Sequence, residues 1–497
     1  MEFLSQKQVL VLGLGESGLA CARFAAAHGA HVRVADTRAD AAKPPPQLAQ
    51  LQADVASAQL VLGPFSDVLL EGVDRIAISP GLAPDAPEVK PLLDEAARRG
   101  ITVDSEIEWF ALALHELAVQ RGYTPKILAI TGTNGKTTVT RLAEHLAHSA
   151  DMKAIACGNV SPAALDALAQ AMADDALPAL WILELSSFQL HFTRSLAADA
   201  ATVLNLSQDH LDWHGSMQAY AVDKARIFSE RAVRVLNRDD PLVAAMRSDA
   251  KLAPAAVTFG LHAPLVAGDW GVLDDGGLRW LAQARAVDDG PRKKGAPPAD
   301  TQIYRLMPAD ALRIRGSHNH ANALAALALL DAVGTPLGPM LRGLRDYAGE
   351  PHRAQFVASV SGVDYIDDSK GTNVGATVAA IQGFAEGRRR IVLIAGGQGK
   401  GQDFAPLATV APFIKAAVLI GTDAGQIESA LQGHVQTIAR AADLPPAVAA
   451  AAQQATAGDV VLLSPACASL DMFKNYAHRA QVYVQAVREL AAKAGQA

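Results

Sequence analysis

The sequence predicts an α/β protein made of three parallel-sheet units. Three observations predict it. Apolar runs of strand length end in glycine-rich turns and pass into helix-period segments near the start, again from residue 126, and again after residue 350. Strands that alternate with helices in this way pack as a parallel sheet. The 497 residues accommodate about three domains. Half of them, 50%, are hydrophobic against 19% charged, enough to fill several cores.

The first unit opens with "QVLVLGLGESGLACARFAAAHGAHVRVADTR": a buried-strand run, a glycine turn, a helical pattern, and a second strand ending at Asp36. Gly13, Gly15 and Gly18 match G-x-G-x-x-G, and Asp36 stands at the spacing used for a ribose or base contact. The pattern fits a dinucleotide or a sugar nucleotide, so a nicotinamide cofactor is an alternative at this point. "DRIAISPG" reads as a later strand of the same unit.

The second unit opens with "KILAITGTNGKTTVTRLAEHLAH". Backbone N–H groups at a strand-to-helix turn converge on anionic oxygens, and the helix dipole favours negative charge there. Gly132 and Gly135 permit close approach, Lys136 offers a charge to the outer phosphates, and the Thr137 hydroxyl is a magnesium ligand type. The loop is a shortened G-T-N-G-K-T. "PALWILELS" and "AATVLNLS" read as further strands. Glu184 ends the first of these. Alone it reads as an exposed strand-end acid; beside the phosphate loop it reads as a carboxylate for a metal-bound nucleotide. Asp209, His210, Asp212 and His214 resemble a metal cluster, but their spacing does not let all four face one way. Lys224, on a helical stretch, reads by itself as a solvated charge. "GSHNHAN" contains H-N-H, a weak nuclease signal because it runs straight into an alanine–leucine helix; Asn319 and Asn322 stand one turn apart and could present amides to a base. Residues 262–302 are turn-rich and polar and read as a surface excursion.

The third unit starts near "GEPHRAQFV", with strands in "RIVLIAGG", "KAAVLIG" and "DVVLLSP" that end at glycine or polar residues. Boundaries are placed at 1–105, 106–350 and 351–497. A net charge of −7 offers no basic patch for nucleic acid. Cys21, Cys157 and Cys467 have neither zinc spacing nor a disulfide framework, as in a reducing compartment. No apolar run is long enough to span a membrane, the first residues lack a signal-peptide pattern, and a cytoplasmic address is expected.

The motifs "TGTNGKTT", "ELSSFQL", "NLSQDHLDWHG", "DDSKGTN" and "LSPACASLDMFKNYAHR" together resemble the Mur ligase family over essentially the whole chain. The last two resemble its D-glutamate-adding members; members adding diaminopimelate or lysine typically read Asp-Tyr-Ala-His at the matching place. The resemblance implies a Rossmann-like UDP-binding domain, a central P-loop-type ATPase domain and a C-terminal Rossmann-like domain that closes over the site. It implies that Gly15, Glu16, Ser17, Asp36, Thr37, Arg38, Gly81 and Asn159 hold the UDP substrate. Gly132, Thr133, Asn134, Gly135, Lys136, Thr137 and Thr138 would cradle ATP phosphates, with Asn319, Asn322, Arg353 and Asp368 reaching adenine, ribose or γ-phosphate. Thr137, Glu184, His210 and Lys224 would serve magnesium, two ions being expected, with Lys224 carried as a carbamate. Lys370, Thr372, Lys400, Ser469 and Tyr476 would receive D-glutamate, Tyr476 through its backbone.

The implied activity is ATP-dependent, ADP-forming addition of D-glutamate to UDP-N-acetylmuramoyl-L-alanine in peptidoglycan precursor synthesis. Lys136, Glu184, His210, Lys224 and Arg353 are the implied catalytic residues, the partners are small molecules only, and the protein is expected to be a monomer. Two departures stand out. Gln398 in "GGQGKGQDF" replaces the family's Asp, and Ser161 in "GNVSPAAL" replaces a glycine. A folylpolyglutamate synthase would lack the N-terminal UDP unit, and a nucleotide switch protein would not need two further ligand-facing units.

Overall fold

The structure is a computed structural model and describes residues 1–40, 42–247, 256–287, 300–385 and 390–496. Three sheets follow one another along the chain. The first holds β1 (Gln8–Leu12), β2 (His31–Asp36), β3 (Gln59–Leu62), β4 (Arg75–Ile78) and β5 (Thr102–Asp104), all parallel, in the order β3-β2-β1-β4-β5. Val9 and Val11 of β1 face one core, Leu10 and Leu12 the other. This is the period-2 alternation of a strand covered by helices on both faces. A Cβ on Gly18 would lie 2.0 Å from the Gly13 carbonyl oxygen, so only glycine lets the first helix, Glu16–Ala27, lie this close to β1.

The second sheet is built from β6 (Lys126–Thr131), β7 (Ala154–Gly158), β8 (Leu180–Glu184), β9 (Ala200–Val203), β10 (Val233–Asn237), β11 (Val257–Phe259), β12 (Asp269–Asp275), β13 (Leu278–Ala286) and β14 (Thr301–Pro308). Its order is β14-β13-β12-β11-β10-β9-β6-β8-β7, with β6 to β12 parallel and β13 and β14 antiparallel. Helix Ser317–Ala332 covers one face. Its Ala–Leu run is a strong helix former and is apolar on every side, so it is buried along most of its length.

The expectation of a surface excursion at 262–302 is corrected here. Strands β12 and β13 lie within it, with Trp270 and Leu281 buried at 1% and 0% exposure. Gly276 and Gly277, both at positive φ, make the two-residue turn between them. Polar residues flanking each short strand hid the pattern. Residues 288–299, which contain the basic part of that stretch, lie outside the described residues.

The third sheet holds β15 (Gln355–Val360), β16 (Val363–Asp367), β17 (Ile391–Gly396), β18 (Ile414–Ile420), β19 (Thr437–Arg440) and β20 (Val460–Leu463), ordered β15-β16-β20-β17-β18-β19. Only β15 is antiparallel to its neighbour. The first and second units are tied by polar contacts at Asp104. Asp104, fully buried, accepts from Arg75 and the Trp109 indole at 2.7 and 3.0 Å, and from Arg194 of the second unit. Glu108 accepts the N–H groups of Arg194 and Ser195 at 2.6 and 2.8 Å.

Candidate functional site

Parallel strands carry their ligands at the carboxyl ends, and here Thr131, Glu184, Val203, Asn237 and Phe259 all end strands on one edge of the central sheet. Three clefts among the described residues bear on the site.

The cleft of the first unit is lined by all eight residues expected to hold UDP: Gly15, Glu16, Ser17, Asp36, Thr37, Arg38, Gly81 and Asn159. Phe65 and Gln189 line it too, and sequence reasoning missed both. Asp36 is almost fully buried; it accepts from the Leu14 N–H at 2.7 Å and from Arg38 Nε and Nη2 at 2.8 and 2.6 Å. Burial opposes its charge, yet the Arg38 guanidinium and two backbone N–H groups hold its carboxyl below the usual range. Asp36 thus fixes Arg38 at the cleft rim as a cation.

The second cleft lies between the central and C-terminal units. Asn134, Gly135, Thr138, Asn319, Asn322, Arg353, Asp368 and Lys370 line it, with Phe259, Leu261 and His318. Gly135 sits at φ +82, where a Cβ would come within 2.7 Å of Asn322 Oδ1. The loop is strutted from below by Asn205, a residue of the "NLSQDHLDWHG" motif to which sequence reasoning gave no role: Thr133 N–H donates to the Asn205 carbonyl at 2.9 Å, and Asn134 N–H to Asn205 Oδ1 at 2.8 Å. Lys136 Nζ donates to the Gly132 and Thr133 carbonyls at 2.8 and 2.9 Å, folded over its own loop. Burial lowers its pKa, and the charges of Arg353 and Lys370 push the same way, against the attraction of Glu184. The charges of Lys136, Arg353 and Lys370 repel one another, a repulsion that an anion entering the cleft would relieve. Asn322 Nδ2 donates to Asn319 Oδ1 at 3.0 Å, and Asn319 Nδ2 to the Arg315 carbonyl at 2.8 Å. His318 and His320 begin the buried helix, which removes the nuclease reading. Burial pushes the His318 imidazole down to about 4. Asp368 accepts from Ser464 Oγ at 2.7 Å and the Ala354 N–H at 3.1 Å, and burial raises its carboxyl to about 7.

Beneath the loop lies Lys224, 1% exposed, with Nζ 3.0 Å from the Gly132 carbonyl, 3.2 Å from Thr131 Oγ1 and 4.7 Å over the Tyr220 ring. The solvated-lysine reading is therefore corrected: helix Met217–Ala225 turns this residue inward. Burial first, and then Lys136, depress its pKa well below the lysine range. Glu184 accepts from Asn159 Nδ2 at 2.9 Å, while its buried Oε2 has no partner among the described residues. An orphaned carboxylate oxygen beside a phosphate loop suits magnesium, which binds through one or two carboxylates and substrate phosphates.

The four-residue acid–histidine stretch divides as its spacing required. His210, with φ +53, and Asp212 face the third cleft. His214 turns into the core, between Ser187 Oγ at 2.9 Å and Asp223 Oδ2 at 3.0 Å. Asp223 also accepts from His191 at 2.9 Å, a buried brace around the Lys224 helix that sequence reasoning missed.

The third cleft gathers Asp209, His210, Asp212, Thr372, Lys400 and Gln402. Of the residues expected to receive D-glutamate, Thr372 and Lys400 line it; Lys370 lines the nucleotide cleft and stacks 3.7 Å over the Tyr476 ring. Ser469 is buried beside Ala468 of the cleft wall. The Tyr476 carbonyl accepts from Ser369 Oγ at 2.8 Å. Gln398 is exposed and pairs through its backbone with Ala468 at 3.0 and 2.9 Å, so its replacement of an acid leaves the cleft wall in place. Ser161 is exposed, and its carbonyl accepts from Arg141 at 2.6 Å.

A phosphate loop on a central sheet, flanked by clefts on two further α/β units, defines a three-domain nucleotide-binding protein that brings several small ligands together. Family models described as the Mur ligase MurD-like N-terminal domain, the Mur ligase middle domain and the Mur ligase glutamate ligase domain match residues 7–104, 130–330 and 352–467. The chain belongs to the Mur ligase family. It is 53% identical to the UDP-N-acetylmuramoylalanine–D-glutamate ligase of Paraburkholderia phymatum, over 98% of this chain and 97% of that one. It is 54% identical to the protein of the same name from Burkholderia pseudomallei strain 668, over 98% of each. Solved structures share the fold at lower identity. The MurF ligase of Thermotoga maritima in complex with ADP has a TM-score of 0.59 at 14% identity, covering 99% of this chain and 100% of that one. UDP-N-acetylmuramate-alanine ligase MurC from the same organism has 0.55 at 18%, covering 97% and 99%.

Proposed function

We propose that this chain is an ATP-dependent, ADP-forming ligase that joins D-glutamate to UDP-N-acetylmuramoyl-L-alanine in peptidoglycan precursor synthesis. The observation that carries the reading is the 53–54% identity, spread over nearly the whole length, to relatives bearing that name. The proposed domains are 1–105 for the UDP substrate, 106–350 for ATP and 351–497 for the amino acid; the protein acts as a cytoplasmic monomer. No helix among the described residues is long and apolar enough to cross a membrane.

A carboxylate is a poor electrophile, so amide formation in water needs activation. In this reading the γ-phosphoryl group of ATP passes to the alanyl carboxylate, making an acyl phosphate, and the D-glutamate amine displaces phosphate. Phosphoryl transfer is catalysed by positioning and charge neutralisation. Lys136 and Arg353 are the cations placed for it, Arg353 donating to Thr137 Oγ1 from the C-terminal unit at 2.7 Å. Magnesium, held by Thr137, Glu184, His210 and Lys224, would supply charge neutralisation on the phosphates. Carbamylation of Lys224 needs a neutral amine, and its buried, pKa-depressed Nζ meets that need. A carbamate would give the second of two ions an anionic ligand. Asn319, Asn322 and Asp368 orient the nucleoside; Lys370, Thr372, Lys400, Ser469 and Tyr476 serve the amino acid.

The test is oxygen transfer. With 18O in the alanyl carboxylate, one labelled oxygen should leave in each phosphate released, because the carboxylate oxygen becomes the bridge of the acyl phosphate. Unlabelled phosphate would overturn the mechanism.

A further inference from the structure

Asn373 stands where the nucleotide and amino-acid clefts meet. It caps helix Val374–Phe384, its Oδ1 accepting from the Ala376 N–H at 2.8 Å. Its Nδ2 donates to Asn134 Oδ1 at 3.1 Å and to Asp209 Oδ2 at 3.2 Å, and Asn134 Nδ2 returns a bond to Asn373 Oδ1 at 3.3 Å. Both amide hydrogens and both oxygen lone pairs are therefore used, in a side chain that is only 8% exposed. Asn134 lines the nucleotide cleft and Asp209 the amino-acid cleft. The next residue continues the tie, since the Val374 N–H donates to Gln402 Oε1 at 2.9 Å and Gln402 lines the amino-acid cleft. Gly375 closes the seam: a Cβ there would lie 2.5 Å from Ser207 Oγ of the central unit.

We infer that Asn373 is a positioning residue that latches the C-terminal unit onto the phosphate loop and so holds the closed arrangement in which bulk water is kept from the acyl phosphate. The inference rests on the ligase reading above and adds to it a device for coupling. An acyl phosphate exposed to water is hydrolysed: water adds its oxygen to one fragment and the bond between acyl group and phosphate breaks, so that carboxylate and phosphate are released without amide. The amine must reach the acyl carbon from the amino-acid cleft while bulk water does not. A saturated amide joining Asn134 to Asp209 makes the closed arrangement specific, because opening it leaves both without this partner.

Two variants test it. Asn373→Ser keeps a helix-capping oxygen and removes both amide donations. Gly375→Ala keeps every polar group and wedges the seam with one methyl. For each, phosphate released per amide formed is measured with ATP, magnesium, UDP-N-acetylmuramoyl-L-alanine and D-glutamate, and the radius of gyration of the ligand-free protein is measured by X-ray scattering. The wild type should release about one phosphate per amide. Both variants should release several-fold more, with KM for D-glutamate raised, phosphate release without amino acid retained, and an expanded radius. A ratio unchanged from wild type in both variants overturns the latch. If the wild type makes no amide, the ligase reading fails separately, and the scattering comparison decides alone: an unchanged radius overturns the latch.

Discussion

Arg353 Nη2 donates to the Thr137 hydroxyl over 2.7 Å, so a residue of the C-terminal unit touches the first turn of the phosphate-loop helix. The guanidinium thereby reaches across a domain boundary to the helix that Lys136 begins, and the two cations are proposed to share one anion. Arg353→Lys keeps the charge but loses the planar fork. Turnover should fall about a hundredfold, read as steady-state phosphate release, with the melting midpoint within a degree or two of wild type. Full activity in Arg353→Lys would show that only its charge matters.

Lys136→Ala removes the loop cation. Turnover should fall about a thousandfold or more while circular dichroism stays native, because the two carbonyls that Lys136 contacts belong to its own loop. Near-normal turnover would remove the phosphate assignment.

Lys224→Ala should lose most activity, and short carboxylates added to the assay should restore part of it by standing in for the carbamate. Mass spectrometry of wild type kept in bicarbonate should show one added carbon dioxide, absent from the variant. A fully active alanine variant would leave Lys224 as packing for Tyr220 alone.

Asp368 gives a pH dependence whose sign follows from its raised pKa of about 7. The folded state binds this proton more tightly than the unfolded chain, whose Asp titrates near 3.8. Stability should therefore fall as pH rises from about 4 through about 7, with the loss complete above it. Asp368→Asn should flatten this slope in melting curves taken between pH 5 and pH 8. An unchanged slope would place the titration elsewhere, Glu106 being the other carboxyl that burial raises to about 7.

Asp104→Ala should destabilise the joint between the first two units by about 1–3 kcal/mol. It strips the fully buried partner from Arg75, Arg194 and the Trp109 indole. Urea unfolding followed by tryptophan fluorescence should show an earlier transition, and a midpoint equal to wild type would contradict the joint's role.

What could be read in advance was local in the chain. Of the eight residues that the resemblance placed at the UDP cleft, the six from Gly15 to Arg38 meet because a glycine turn, its helix and the next strand end fall within one βαβ unit, whereas Gly81 and Asn159 follow later strands, Asn159 in the central sheet. The phosphate loop was legible for the same reason. Residues defined only by tertiary packing were not. A lysine in a helical stretch looks solvated until the helix is docked, and Lys224 is buried because helix Met217–Ala225 packs its inner side beneath the loop. Asn205 and Asn373 act through partners far away in sequence, and Asp223 gathers His191 and His214 only once their helices dock, so spacing gave these roles no signal. Strands β12 and β13 were hidden by polar ends, although the Gly276–Gly277 turn was in view.

The most direct measurement is phosphate release from ATP and magnesium with UDP-N-acetylmuramoyl-L-alanine, screened against D-glutamate, L-glutamate, L-lysine and meso-diaminopimelate, with the product weighed by mass spectrometry. The account predicts release and a matching amide mass with D-glutamate only. Release with another amino acid would keep the mechanism and contradict the specificity, and no release with any of them would contradict the ligase assignment.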